Sequence, residues 1–163
     1  MLHVEDYPRG ELAPEIGRRK EEEVEAVKAQ AVAARTYALV TQNKYPGKEY
    51  DLVNEMLDQV YTGVEGEQRL TDLALKQTRG EVMKSAGSLI DAYYHSTCGG
   101  HTDNIEDVWE KAPRSYLTSV DDDTFCNWSK YYTWDEEFPA GTLLANVRSY
   151  LKSTGRTSSR LGK

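Results

Sequence analysis

Residues 20–42 carry Val24, Val27, Ala31, Ala34 and Ala38 at the spacing i, i+3, i+7, i+10, i+14. That spacing sets all five on one side of a helix of about 3.6 residues per turn. The stripe is mostly alanine, so whatever packs on it approaches closely. Glu21, Glu22 and Glu23 suit the positive N-terminal end of such a helix, and Asn43, Pro46 and Gly47 stop it. At about 100° per residue Arg35 falls inside the apolar stripe, with Lys28 at its edge. A guanidinium there needs acceptors or a cleft, because an unpaired buried charge is very costly.

Around this helix the pattern is mixed. Pro8, Gly10, Pro14 and Gly17 mark residues 1–20 as loop-like. Residues 50–64 look irregular, ending in a short strand near residues 59–61. A second helix is expected over residues 67–79, with Leu70, Leu73, Ala74 and Gln77 on one face and Gly80 as its stop. EVMK, SAGS and LIDAYYHS read as a hairpin, whose second strand runs into the loop STCGGHT. DDDTFCNWSKYYTW is polar and aromatic, hence surface loop or rim. A last helix is expected over residues 141–152, on Leu143, Leu144, Val147, Tyr150 and Leu151.

With 163 residues, the chain is long enough for one domain with its own core. A net charge of −7 argues against a polyanionic partner such as nucleic acid. No run approaches the roughly 18 apolar residues of a membrane span. Two cysteines, Cys98 and Cys126, are too few for a disulfide scaffold. Spacing leaves one bridge, two free thiols and a zinc site that adds His95 and His101 all open.

Several strings fall in one order: EDYPRGELAPEIG, VKAQAVAARTYAL, YDL…DQVYTGV, TRGEVM, YHSTCGGHTDNIEDVW and YLTSV. Together they resemble the stage II sporulation protein D (SpoIID) family, which includes the related amidase-enhancer proteins. The resemblance runs from about residue 3 to 120. It implies a peptidoglycan lytic transglycosylase that needs no cofactor. The glutamate matching the family's acid/base is Glu15, in APEIG. It further implies peptidoglycan glycan strands as substrate, a cell-wall amidase as a partner and an extracytoplasmic site of action, the parent chain being exported or membrane-anchored. The Cys-and-His zinc cluster that some members carry before QVY is replaced here by Val53, Leu57 and Asp58.

The chemistry asks for little more. One carboxylic acid delivers a proton to the bridging oxygen between N-acetylmuramic acid and N-acetylglucosamine. The same group, now ionised, takes a proton from the sugar's 6-hydroxyl, which closes a 1,6-anhydro ring. The internal nucleophile gains from proximity, so the second carboxylate of a hydrolase is not required. Such an acid must be protonated near neutral pH, and Leu12, Ala13, Pro14 and Ile16 are its apolar neighbours in sequence. Arg35 is expected either to pair structurally or to contact sugar, and pairing with Glu15 itself would oppose the acid role. Gln59, Tyr61, His95, Ser96, Thr97, Gly99 and Gly100 are the further substrate-binding candidates. The Gly-Gly step lets backbone approach a ligand, and Tyr61, Tyr93, Tyr94 and Trp109 offer flat surfaces. The expected architecture is a single α+β domain over residues 1–163, cut from a longer parent at both ends and with residues 153–163 as a flexible tail. Its long N-terminal helix would pack on short strands, with long loops forming a substrate cleft.

Overall fold

In the computed structural model, residues 2–55 and 57–155 are described; the expected tail lies outside them from residue 156 onward. The alanine stripe forms α2 (Val24–Val40), entered through a 3-10 turn at Glu21–Glu23. The Glu23 carboxylate accepts the Lys20 amide at 2.8 Å, which satisfies one of the orphan donors at this end. Two more helices flank it. α1 (Leu12–Ile16) is one turn long, and α3 (Arg69–Gln77) is the main packing partner of α2. Leu12, Val27, Ala31, Ala34, Ala74 and Leu75 form the buried cluster, with Ile16 and Leu70 against it. Alanine faces alanine at the α2–α3 crossing, so the two backbones come close.

The long helix therefore packs on helices rather than on strands. The sheet is too small to serve: β1 (Lys84–Ser85) and β2 (Ser88–Leu89) pair antiparallel through Lys84↔Leu89 and Ser85↔Ser88. Ala86 (φ 48°) and Gly87 (φ 83°) make the turn, both left-handed as a two-residue hairpin loop requires. The strand expected near residues 59–61 does not form, because side chains capture its amides. Val60 N–H donates to the Glu15 carboxylate and Tyr61 N–H to the Asn54 amide oxygen.

The N-terminal segment is more ordered than its proline and glycine content suggests. A 3-10 turn at Tyr7–Arg9 leads into α1. Pro14 is tolerated because the first-turn N–H it lacks would have no partner inside the helix. Gly10 is required by space. A Cβ there would sit 2.6 Å from the Gly63 carbonyl oxygen and 2.7 Å from the Tyr61 ring. Its own carbonyl accepts the Thr62 amide at 2.9 Å, tying this segment to residues 61–63.

Arg35 is 1% exposed and fully engaged. It donates to the Glu5 carboxylate at 3.0 and 3.3 Å and to the Glu81 carbonyl at 3.1 Å. The other oxygen of Glu5 accepts Gly80 N–H at 3.0 Å. One buried pair thus joins α2, the N-terminal segment and the turn after α3. The Arg35 guanidinium, held by Glu5 and the Glu81 carbonyl, is part of the framework.

Farther on, α4 (Ile105–Val108) and α5 (Ala140–Ser153) follow. His101, before α4, and Asp121, after it, form a single antiparallel bridge, flanked by Thr102 N–H to the Val120 carbonyl and Asp122 N–H to the Gly100 carbonyl. Helix α5 buries no side chain. Among the described residues no helix is long and apolar enough to cross a membrane.

Candidate active site

Glu11, at the N-cap of α1, and Glu15, within it, place two carboxylates one turn apart. Glu15 is half-buried on its outer side, and its Oε1 accepts Val60 N–H at 2.8 Å. A proton on this carboxyl belongs on the other oxygen, Oε2. Leu12 and Ala13, its apolar neighbours in sequence, turn into the core instead of around it.

Glu11, directly before α1, is fully buried. Its Oε1 accepts the Tyr94 hydroxyl at 2.8 Å and the Gln59 amide at 3.3 Å, while Oε2 has no hydrogen-bond partner. Burial pushes the Glu11 carboxyl up to about 8; the charge of Glu15 adds to this, and the bonds from Tyr94 and Gln59 oppose it. Glu11 is therefore neutral near pH 7. The Tyr94 phenol is also raised, by burial first and by Glu11 next. Sequence reasoning passed over Glu11, since a glutamate between glycine and leucine in a turn-rich stretch reads as solvated. The pattern that marks it is structural, an unbroken buried run from Gly10 to Ala13.

Gln59 is 1% exposed and points inward, donating also to the Ala34 carbonyl and the Tyr94 hydroxyl. It braces Glu11. Tyr61 stacks on Tyr7 with ring centroids 5.3 Å apart. Burial raises the Tyr7 phenol, helped by Glu11, Asp58 and Glu15. Asp58 accepts from Tyr45 and Val53 and pairs with Lys44.

On the surface above Tyr94 lies a pocket of about 400 Å³, walled by Tyr37, Tyr93, Tyr94, Trp109 and Lys111. Tyr93 and Trp109 lie 5.0 Å apart, and Lys111 sits 4.9 Å above the Tyr93 ring. Tyr93 and Tyr94 also line a second pocket of about 310 Å³, with His95, Ser96, Thr97, Cys98, Asp122 and Cys126. His95 and Ser96 are exposed, and the Thr97 hydroxyl bonds Ser129 at 2.8 Å. Gly99 and Gly100 lie under Tyr132: a Cβ on Gly100 would meet its hydroxyl at 3.1 Å and the Asp123 carbonyl oxygen at 3.3 Å. Close backbone approach is real at this step, but its partner is the chain itself.

Glu15, Glu11, Gln59 and Tyr94 thus gather at one place, and Arg35 belongs to another. The metal alternative also changes composition. Cys98, Asp122 and Cys126 bring their ligand atoms within 4.8 Å of one another, and neither His95 nor His101 is in the group. His101 is exposed, with Nδ1 3.1 Å from the Thr102 carbonyl oxygen.

The family model for Stage II sporulation protein, SpoIID, matches residues 1–84, just over half of the chain. The chain belongs to the SpoIID family. The matched stretch holds both carboxylates of α1, Gln59 and the Arg35–Glu5 pair. Relatives extend the likeness of this SpoIID domain further along the sequence. It is 41% identical over 112 residues to an uncharacterised protein of Brachyspira hyodysenteriae, covering 66% of this chain and 29% of that one. It is 40% identical over 90 residues to the Amidase enhancer of Bacillus subtilis, covering 55% and 12%. With the Stage II sporulation protein D of the same organism it shares 31% over 134 residues, covering 73% and 38%. The chain therefore spans well under half the length of these relatives. No solved structure matches it.

Proposed function

We propose that this SpoIID domain acts on the bacterial cell wall as a peptidoglycan lytic transglycosylase, with Glu15 as its only acid/base. The observation that carries the reading is the pairing on α1 of one half-exposed carboxyl with one fully buried one. A hydrolase requires two carboxylates that both reach the sugar or its attacking water, about 5–9.5 Å apart. Glu11 is sealed beneath Tyr94 and Gln59 and reaches neither, so a single carboxyl must carry both proton transfers.

The steps balance on that one group. Glu15 Oε2 gives its proton to the glycosidic oxygen as the C1–O bond breaks. The resulting carboxylate takes the proton of the muramic acid O6, and O6 bonds to C1. The products are a 1,6-anhydro end and a free hydroxyl, with no water consumed. The Val60 amide fixes the carboxyl by Oε1 through both steps. Neutral Glu11 below it adds no second negative charge to oppose the intermediate anion. Tyr93, Tyr94 and Trp109 offer flat walls on which sugar rings stack. The substrate lies outside the cytoplasmic membrane, so this reading requires an extracytoplasmic protein.

The test is incubation of the purified chain with peptidoglycan, followed by mass spectrometry of the soluble products. Anhydro-muropeptides are expected, and Glu15→Gln should lower their rate of release by about 10²- to 10⁴-fold, the usual worth of a general acid–base group. Undiminished release by that variant removes Glu15 from the mechanism. The likeness to the Amidase enhancer favours a second reading, a glycan-binding module that stimulates a cell-wall amidase. No anhydro product, with the protein still pelleting on glycan and accelerating an added amidase, would establish it instead.

A further inference from the structure

The loop at residues 97–102 meets the loop at residues 120–132. Cys98 is buried and Cys126 half-buried, and both are free thiols. Their sulfurs lie 3.7 Å apart, and Asp122 Oδ2 lies 2.9 Å from Cys98 Sγ and 3.6 Å from Cys126 Sγ. These separations match a known chemistry. Two thiolates bound tetrahedrally at about 2.3 Å from one zinc ion are ~3.8 Å apart, and a thiolate and a carboxylate oxygen at about 2.1 Å are ~3.6 Å apart. Only the Cys98–Asp122 distance must open, by less than an ångström, when the ion replaces the thiol proton that now spans it.

We propose that Cys98, Asp122 and Cys126 form a site for a thiophilic divalent cation, with zinc as its occupant. Two soft sulfurs and one carboxylate select zinc over magnesium or calcium, which prefer sets made of oxygen alone. The backbone holds the ligands in place before any ion arrives. The Asp122 amide donates to the Gly100 carbonyl at 2.8 Å, and the His101–Asp121 bridge sits between the two ligand-bearing loops. Gly100, at φ 107°, makes the turn on which Cys98 is presented. His95 lines the same pocket but stands outside the ligand group, so water supplies the fourth ligand. The ion would pin residues 120–132 to the loop at residues 97–102, a structural task separate from the chemistry proposed at Glu15. The place also differs from the zinc cluster before QVY, where this chain has Val53, Leu57 and Asp58.

The test uses the full 163-residue chain, purified under reductant, loaded with zinc, freed of excess by gel filtration and analysed by elemental mass spectrometry. One zinc per chain is expected, and cobalt substitution should give thiolate-to-cobalt charge-transfer absorption. Cys98→Ser and Cys126→Ser should each lose the ion to the level of the double variant. Asp122→Asn should weaken affinity by more than about tenfold, while His101→Ala leaves it unchanged. His95→Ala should likewise leave it unchanged. The proposal is overturned if reduced wild-type protein retains no more zinc than the double variant. It is equally overturned if protein prepared without reductant has lost two hydrogens in mass and does not recover zinc on reduction. Circular dichroism of each variant reports whether it has folded.

Discussion

Two parts of this domain are held together by different means. Among the described residues every buried side chain lies at or before Ile105, and beyond it none is buried. The first part rests on a packed cluster and an enclosed ion pair. The second exposes Trp128, Trp134 and Phe125 to at least 72% and keeps its form through backbone hydrogen bonds, the Thr97–Ser129 pair and the Cys98–Asp122–Cys126 group. Apolar burial supplies most of a small domain's stability, so stability belongs to the first part. Glu15 also lies there, so the acid proposed above is carried by the packed part. Substitutions test this division directly.

The largest effect should come from Arg35. Arg35→Ala leaves Glu5 in a mostly buried place with no cation, and breaking such a pair costs about 3–5 kcal/mol. Urea denaturation should show that loss with an unchanged slope. Glu5→Gln should also destabilise, and the double variant should lose less than the sum, because the two residues share one interaction. A wild-type midpoint for Arg35→Ala would remove the ion pair from the account.

Glu11 should give the next effect, and it depends on pH. In the fold it keeps its proton to about pH 8, whereas in the unfolded chain it ionises near the ordinary 4.5. Between those values the unfolded state binds fewer protons, so stability falls as pH rises from about 4.5 to about 8 and is level outside that window. Glu11→Gln removes this slope. Compared at pH 5 and pH 8, the variant should gain on the wild type by on the order of a few kcal/mol. Thermal melts across the window measure it, and parallel curves for the two proteins would mean that Glu11 is ionised in the fold.

How far these features could be read from sequence follows from the range of the interactions that make them. The α2 stripe was legible because its period is local, and so was the place of Arg35 inside it. Its partner was not, since Glu5 lies thirty residues earlier in a stretch without regular pattern. Glu15 was found through the resemblance alone; the spacing of LAPEI marks neither it nor Glu11. Gln59 was noticed for its polarity, but only the fold turns it inward. The turn at Ala86–Gly87 was expected, while the length of the strands was not, because side-chain competitors for backbone amides leave no trace in alternation. Asp122 was hidden in the run Asp121–Asp122–Asp123, which reads as solvated charge until the bridge to His101 sets its middle member beside two thiols.

The smallest effect should come from the aromatic surface of the second part, and it cuts the comparison most finely. Trp128 is 72% exposed, so Trp128→Ala removes little area that folding takes from water and should change stability by no more than about 0.5 kcal/mol. Leu12→Ala, in the cluster, should cost about 2–5 kcal/mol although it deletes a smaller side chain. The contrast isolates burial from size. A large loss on Trp128→Ala would mean that the second part builds a core of its own and does not hang from local links. Hydrogen exchange then gives the reason for either result. Under the division proposed here, the Thr102 and Asp122 amides should open at a free energy well below that of the α2 amides, because local opening need not disturb the cluster. Trp128→Ala should leave both sets where they are. Coincident exchange of the two sets would instead make the domain a single cooperative unit, with the stability of α2 extended through loops of little burial.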